Sequence, residues 1–107
     1  QSSLCEAGGT AIIEALALGL PVVATDWGGP SEIINASCGI LVKPESHEEF
    51  VSGLSKAMLS LATDDKTRQR MGEAATRRST EHFLDWKSKV DRIAEVIEET
   101  VSLQQVD

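Results

Sequence analysis

Two glutamates, Glu6 and Glu14, flank Gly8-Gly9-Thr10 with seven residues between them, in a stretch otherwise built of small and apolar side chains. Glu14 interrupts the run Ala11-Ile12-Ile13 and Ala15-Leu16-Ala17-Leu18. An unpaired carboxylate packed there would be costly, so it must face a cleft or be held by strong donors, and vicinal hydroxyls are such donors. Glu6 precedes the glycine pair, in a loop that follows a strand and opens a helix, where α/β folds place their ligands. No side chain on Gly8 or Gly9 blocks approach to the N–H groups of that first turn, which suit phosphate or hydroxyl oxygens. Read without that chemistry, Glu6 is a solvated residue near a helix start and Glu14 an exposed or locally paired helix residue. A second glycine-bearing loop, Asp26-Trp27-Gly28-Gly29-Pro30-Ser31-Glu32, follows the next strand, and two such loops at one end of a parallel sheet make a ligand cleft.

The elements that position these residues can be read from apolar spacing and caps. Thr10 to Leu18 reads as a buried helix with a C-terminal glycine cap at Gly19. Pro21 to Thr25 has the β-branched content of a buried strand, with proline at its first position. A short helix at Ser31 to Asn35 and a second strand at Cys38 to Val42 follow, and Gln1 to Leu4 reads as the end of a third strand. Ser46 with Glu49 forms a capping box ahead of Phe50, Leu54, Ala57, Met58 and Leu61 at helical spacing. Thr67 to His82 reads as a more polar helix with Met71, Ala74 and Ala75 as its apolar patch. Asp85 caps a last helix whose stripe is Trp86, Val90, Ile93, Ile97 and Val101. This grammar is α/β, a partial Rossmann-like parallel sheet with flanking helices. Two or three strands are few for a doubly wound sheet, so residues 1–107 read as part of one domain and a sheet edge is left open to another copy.

Of 107 residues, 41 % are hydrophobic and 25 % charged, the balance of a soluble globular domain with room for one modest core. The apolar runs fall far short of the roughly 20 residues a membrane helix needs. A net charge of −7 opposes nucleic acid, and the basic stretches Lys66 to Arg70 and Arg77-Arg78 read as solvated helix faces among Asp64, Asp65, Glu73 and Glu81. Residues 1–42 hold six of the eight glycines and no Lys or Arg, so chemistry belongs there and residues 43–107 form a mainly helical scaffold. Cys5 and Cys38 show no metal-ligand spacing and His47 and His82 lie far apart, so no metal is expected. Cys5 reads as a small buried hydrophobe, Trp27 as a loop anchor or a stacking surface, and Trp86 as a core or domain contact. The cytoplasm is the expected compartment, although Asn35-Ala36-Ser37 leaves a secretory route open.

Glu6-Ala7-Gly8-Gly9-Thr10-Ala11-Ile12-Ile13-Glu14, with Gly19-Leu20-Pro21-Val22-Val23 behind it, resembles the donor-binding region of retaining glycosyltransferases of the two-Rossmann-domain (GT-B) type. This is the group 1 family that includes sucrose, glycogen and polysaccharide-building enzymes. Gly28-Gly29-Pro30-Ser31-Glu32-Ile33-Ile34, Gly39 to Val42, Met71 to Ala75 and His82-Phe83 extend the likeness over almost the whole chain. One departure is that Ala7-Gly8-Gly9 stands where the family commonly has an aromatic residue between two glycines.

The resemblance implies a nucleotide-diphosphate-sugar donor, a sugar or other hydroxyl acceptor, no metal and no nucleic acid. It also implies a missing N-terminal acceptor domain, and cations for the diphosphate drawn from outside residues 1–42. Glu6 would lie beside the transferred sugar as the catalytic residue, Glu14 would bind the ribose hydroxyls, and amides around Gly8, Gly9 and Thr10 would hold sugar and diphosphate oxygens. The isolated chain would then be inactive, and any contact with a membrane periphery would come through the missing parts. The stretch from Ser37 to Val42 looks most like members from bacterial exopolysaccharide or cell-surface glycan pathways. Two alternatives remain open: a nucleotide-sugar epimerase of similar architecture, and a non-catalytic α/β partner module.

Overall fold

Helix α1 (Thr10–Ala17) starts at a left-handed glycine and stops at another. Gly9, with φ 56°, is its N-cap, and beyond the Leu18 cap Gly19 takes φ 73°. The Gly19 N–H donates to the Leu16 carbonyl and the Leu20 N–H to the Ala15 carbonyl, both at 3.0 Å, the paired closure that a left-handed residue permits at a helix end. The expected glycine cap at Gly19 is therefore present, and the helix ends one residue earlier than the sequence placed it. The computed structural model describes residues 1–4 and 8–105. Ile12 and Leu16, one turn apart, are fully buried, whereas Glu14 and Leu18 are exposed. The helix is thus buried on one face rather than all round.

Strands β1 (Val22–Thr25) and β2 (Gly39–Val42) pair in parallel, with Val22 opposite Gly39 and Thr25 opposite Val42. On the other side of β1, the Gln1 amino group donates to the Val23 carbonyl at 2.8 Å and the Thr25 N–H to the Gln1 carbonyl at 2.9 Å. Those two bonds are one step of a parallel ladder. Gln1 therefore flanks β1, but Gln1 to Leu4, read from the sequence as the end of a third strand, adds no strand to this two-stranded sheet; the segments that leave Gln1, β1 and β2 share one edge of it. Between the two strands, α2 (Gly29–Ile33) makes a short crossover, with Pro30 in its first turn and buried. Gly39 is required by close approach: a β-carbon there would overlap the Val22 carbonyl.

The remaining helices are capped by side chains. Ser46 Oγ accepts from the Glu49 N–H at 3.2 Å and donates to Glu49 Oε2 at 2.8 Å, opening α3 (His47–Thr63). Asp64 Oδ1 accepts from the Thr67 N–H at 3.0 Å, opening α4 (Asp65–Arg78) two residues before the start read from sequence. The far end of that helix also differs: Ser79–Phe83 winds as a π-helical turn, closed by the Leu84 N–H on the Ser79 carbonyl at 2.9 Å. Asp85 caps α5 (Trp86–Gln104) through the Ser88 N–H at 3.1 Å.

One core unites Ile12, Leu16, Val22, Ala24, Ile33, Ile34, Cys38 and Ala75, with Leu41 and Phe83 packed against it. Ala57 and Leu61 of α3 are also buried, but Met58 is exposed. The stripe on α5 is present as a pattern and does not enter the core: Trp86, Val90, Ile93, Ile97 and Val101 are all exposed, and no residue of the helix is buried. Trp86 is 69 % exposed, so it is not a core residue. The radius of gyration, 17.7 Å, exceeds the roughly 13 Å of a compact domain this size, and the longest extent is 60 Å. Among the described residues, no helix is long and apolar enough to cross a membrane.

Gly39→Ala should lower stability by about 1–3 kcal/mol, because the obstruction is backbone and cannot rotate away. An unchanged urea midpoint would contradict the close strand approach. Backbone and side-chain hydrogen bonds from Thr67 and Ser88 hold the Asp64 and Asp85 carboxyls below the ordinary aspartate range. A lowered folded-state value means the contribution is present above the ordinary pKa and lost as pH falls through the lowered one. Protection of the Thr67 and Ser88 amides relative to their intrinsic exchange rates should therefore fall on acidification in that window, and Asp64→Asn and Asp85→Asn should flatten that dependence.

Candidate functional site

The start of α1 lies at the sheet edge shared with the loops that leave β1 and β2. Its N-cap, Gly9, brings no side chain of its own to the first turn. The Gly9 carbonyl accepts from the Ile12 and Ile13 N–H groups at 2.9 and 3.1 Å, so the helix begins abruptly at a left-handed residue. Gly8 and Thr10 are exposed on either side of it, and Glu14 is exposed too. Glu14 lies four positions after Thr10, which places them on one helix face about one 5.4 Å turn apart. The structure thus brings Gly8, Thr10 and Glu14 to one open surface, with Glu14 turned out of the packing as its isolation among apolar residues required. Glu6 and Cys5 lie outside the described residues.

Gly9 has a different reason for being glycine. It is buried, its backbone is left-handed, and a β-carbon on it would overlap Cδ1 of Ile33. The absence of a side chain there admits a close neighbour from α2. A β-carbon on Gly8 would meet only Thr10 Oγ1, at 3.8 Å, an ordinary contact.

Around this surface, the Asp26 N–H donates to the Val42 carbonyl at 2.8 Å and ties together the two strand ends. Trp27, immediately after, is 62 % exposed, so it does not anchor its loop by burial. Lys43 follows β2 and is exposed at the same edge. Arg78 departs from its reading as part of a solvated face. It is half-buried, and its Nε donates to the Ile33 carbonyl at 2.5 Å while Nη2 donates to the Glu32 carbonyl at 3.2 Å. Nothing local in Arg77-Arg78 could have revealed this, since the acceptors lie 45 and 46 residues away. Among the described residues, no group of three His, Cys, Asp or Glu side chains forms a metal-binding cluster.

A family model described as "Glycosyl transferases group 1" matches residues 1–78. A sucrose synthase from Melioribacter roseus is 35 % identical over 88 residues, covering 81 % of this chain and 11 % of its own length. A glycogen synthase from Mycobacterium tuberculosis strain H37Rv is 35 % identical over 89 residues, covering 82 % of this chain and 20 % of its own. Among solved structures, a sucrose-phosphate synthase from Thermosynechococcus elongatus superposes with a TM-score of 0.73 at 24 % identity, over 89 % of this chain and 23 % of that one. The chain therefore has part of a GT-B type fold and spans under a quarter of the length of these relatives.

Gly9→Ala should cost about 1–3 kcal/mol through left-handed strain and displacement of Ile33, while Gly8→Ala should stay within about 0.5 kcal/mol. Pairing Gly9→Ala with Ile33→Val should cost less than the sum of the two single changes in chemical unfolding. Strict additivity would mean that the two residues do not touch.

Proposed function

Since the chain belongs to the glycosyl transferases group 1 family, we propose that the complete protein transfers a glycosyl unit from a nucleotide-diphosphate-sugar to a hydroxyl acceptor with retention of configuration. On this reading residues 1–107 are part of the nucleotide-sugar-binding domain, with 1–42 contacting the donor and 43–107 acting as scaffold. The observation that carries the reading is the shared exposed face of Thr10 and Glu14 at the start of α1, on the edge of a parallel sheet.

Each role follows from chemistry that these groups can perform. A carboxylate accepts two hydrogen bonds from a cis-diol, so Glu14 holds the ribose. One helical turn away, the Gly8–Thr10 segment offers the positive end of α1 to the diphosphate. The ribose and the diphosphate are joined in one molecule, and a single turn of helix suits that spacing. Glu6, two residues before Gly8, contacts the transferred sugar and stabilises charge developing at its anomeric carbon. The acceptor domain and the cations that neutralise the leaving diphosphate come from elsewhere in the protein, and no resident metal is assigned. The reading places the protein in the cytoplasm and makes the isolated chain inactive, with an open sheet edge through which copies could pair.

The test uses the full-length protein that carries this segment, titrated with a panel of nucleotide-sugars. Glu14→Ala should weaken donor binding at least tenfold, because a ribose contact is present in ground and transition states alike. Unchanged affinity would remove Glu14 from the site. Glu6→Gln should keep most donor binding but lower turnover tenfold or more, about 1.4 kcal/mol of transition-state stabilisation. Full turnover would take Glu6 off the catalytic list, and acceptor-linked product must be followed with nucleotide release so that donor hydrolysis is not counted as transfer.

A further inference from the structure

Helix α2 is a single turn of five residues, too short to hold its own shape or place. Its first turn is set by the buried Pro30, and its last carbonyls need partners from outside. Those partners sit on one side chain. The guanidinium of Arg78 reaches from the end of α4 and donates through Nε to the Ile33 carbonyl and through Nη2 to the Glu32 carbonyl. A planar fork can bridge two consecutive carbonyls in this way, whereas an ammonium serves one point. The fork is itself located, since its central carbon lies 5.6 Å from the centre of the Phe83 ring, and Phe83 packs against the core.

Ile33 passes this placement on. Its main chain is held by Arg78, and its side chain is buried with Cδ1 against the Gly9 backbone. Gly9 is the N-cap of α1, so the position of Ile33 sets where the exposed Gly8 and Thr10 stand. We propose that Arg78 is a positioning residue for the Gly8–Thr10 segment, acting through Ile33 and Gly9 across the α1–α2 contact. The consequence for donor binding rests on the reading of that segment as the diphosphate contact.

Three changes in the full-length protein test this: Arg78→Met, which keeps the stem and removes the fork; Arg78→Lys, which keeps the charge; and Ile33→Val, which shortens the contact with Gly9. Arg78→Met should speed amide exchange at residues 9–13 at least fivefold while the buried part of α3 around Ala57 and Leu61 exchanges as before. It should also raise the donor KM five- to tenfold with kcat within twofold, and Arg78→Lys should recover part of both effects. The double variant Arg78→Met with Ile33→Val should be no worse in donor KM than the worse single variant, because the two act in series. Exchange at 9–13 that is unchanged, or that rises equally in α3, overturns the proposal, as does a loosened segment with an unaltered KM in a protein that binds donor. If Arg78→Met fails to fold, Arg78→Lys is read by the same criteria, with a two- to threefold effect expected. A segment that loosens selectively in a protein binding no nucleotide-sugar supports the positioning role and removes the donor reading instead.

Discussion

The packing of Ile33 onto the Gly9 backbone is the contact on which the candidate site depends. It joins the start of α1 to the crossover between β1 and β2, and glycine at the N-cap serves it by taking a left-handed φ and leaving Cδ1 of Ile33 where it lies. A helix start that must present backbone to a ligand benefits from a fixed origin, because the first-turn amides point along the axis and any tilt moves them together. Here the origin is fixed from behind by a buried side chain, which leaves the front of the turn exposed at Gly8 and Thr10. The two glycines of the motif therefore divide the work, with Gly8 open towards solvent and Gly9 closed against the core.

The parallel sheet explains why the packing is arranged on this side. Strands of four residues with three buried positions in β1 need cover on both faces and a neighbour on each edge. α1 supplies Ile12 and Leu16, and the crossover returns Ile33, Ile34 and Cys38 to the same cluster. Parallel pairing also places the exits of Gln1, β1 and β2 on one edge, so the exposed Trp27 and Lys43 lie on the edge where α1 begins. α5 takes no part in this core, and by the usual relation between burial and local opening it belongs to the less stable end of the molecule, in contrast to α1.

Features that depend on near neighbours were legible in the sequence. The Ser46 and Asp85 caps, the glycine stop after α1 and the outward-facing Glu14 each rest on spacings of a few residues, and the α/β grammar followed from them. The start of α4 was misplaced because Asp64 and Thr67 are both competent caps, and the hydroxyl of Thr67 in fact donates to Asp64 Oδ2 at 2.7 Å. The π-helical turn was invisible because one extra residue per turn leaves no periodic trace over five residues. Periodicity correctly marked the stripe of α5 but could not say whether anything covers it, and the same limit applies to Met58 and Trp86. The packing reason for Gly9 and the role of Arg78 were beyond reach, since both are contacts between segments distant in sequence.

Charge sets what this segment can contribute to the proposed reaction. The start of α1 offers the equivalent of roughly half a positive charge, and that field fades within the first turn. A departing nucleoside diphosphate carries several times that charge in the opposite sense, so the helix start can orient it without neutralising it. Residues 1–42 contain no lysine or arginine, and Lys43, the first cation in the chain, is exposed to solvent where screening weakens it. Arg78 is half-buried and engaged with two carbonyls of α2. In the proposed reaction the division of labour is physical: this part of the domain would select and aim the donor through shape and hydrogen bonds. Stabilising the leaving group requires full positive charges held close to the phosphates, and residues 1–42 supply no lysine or arginine for that part.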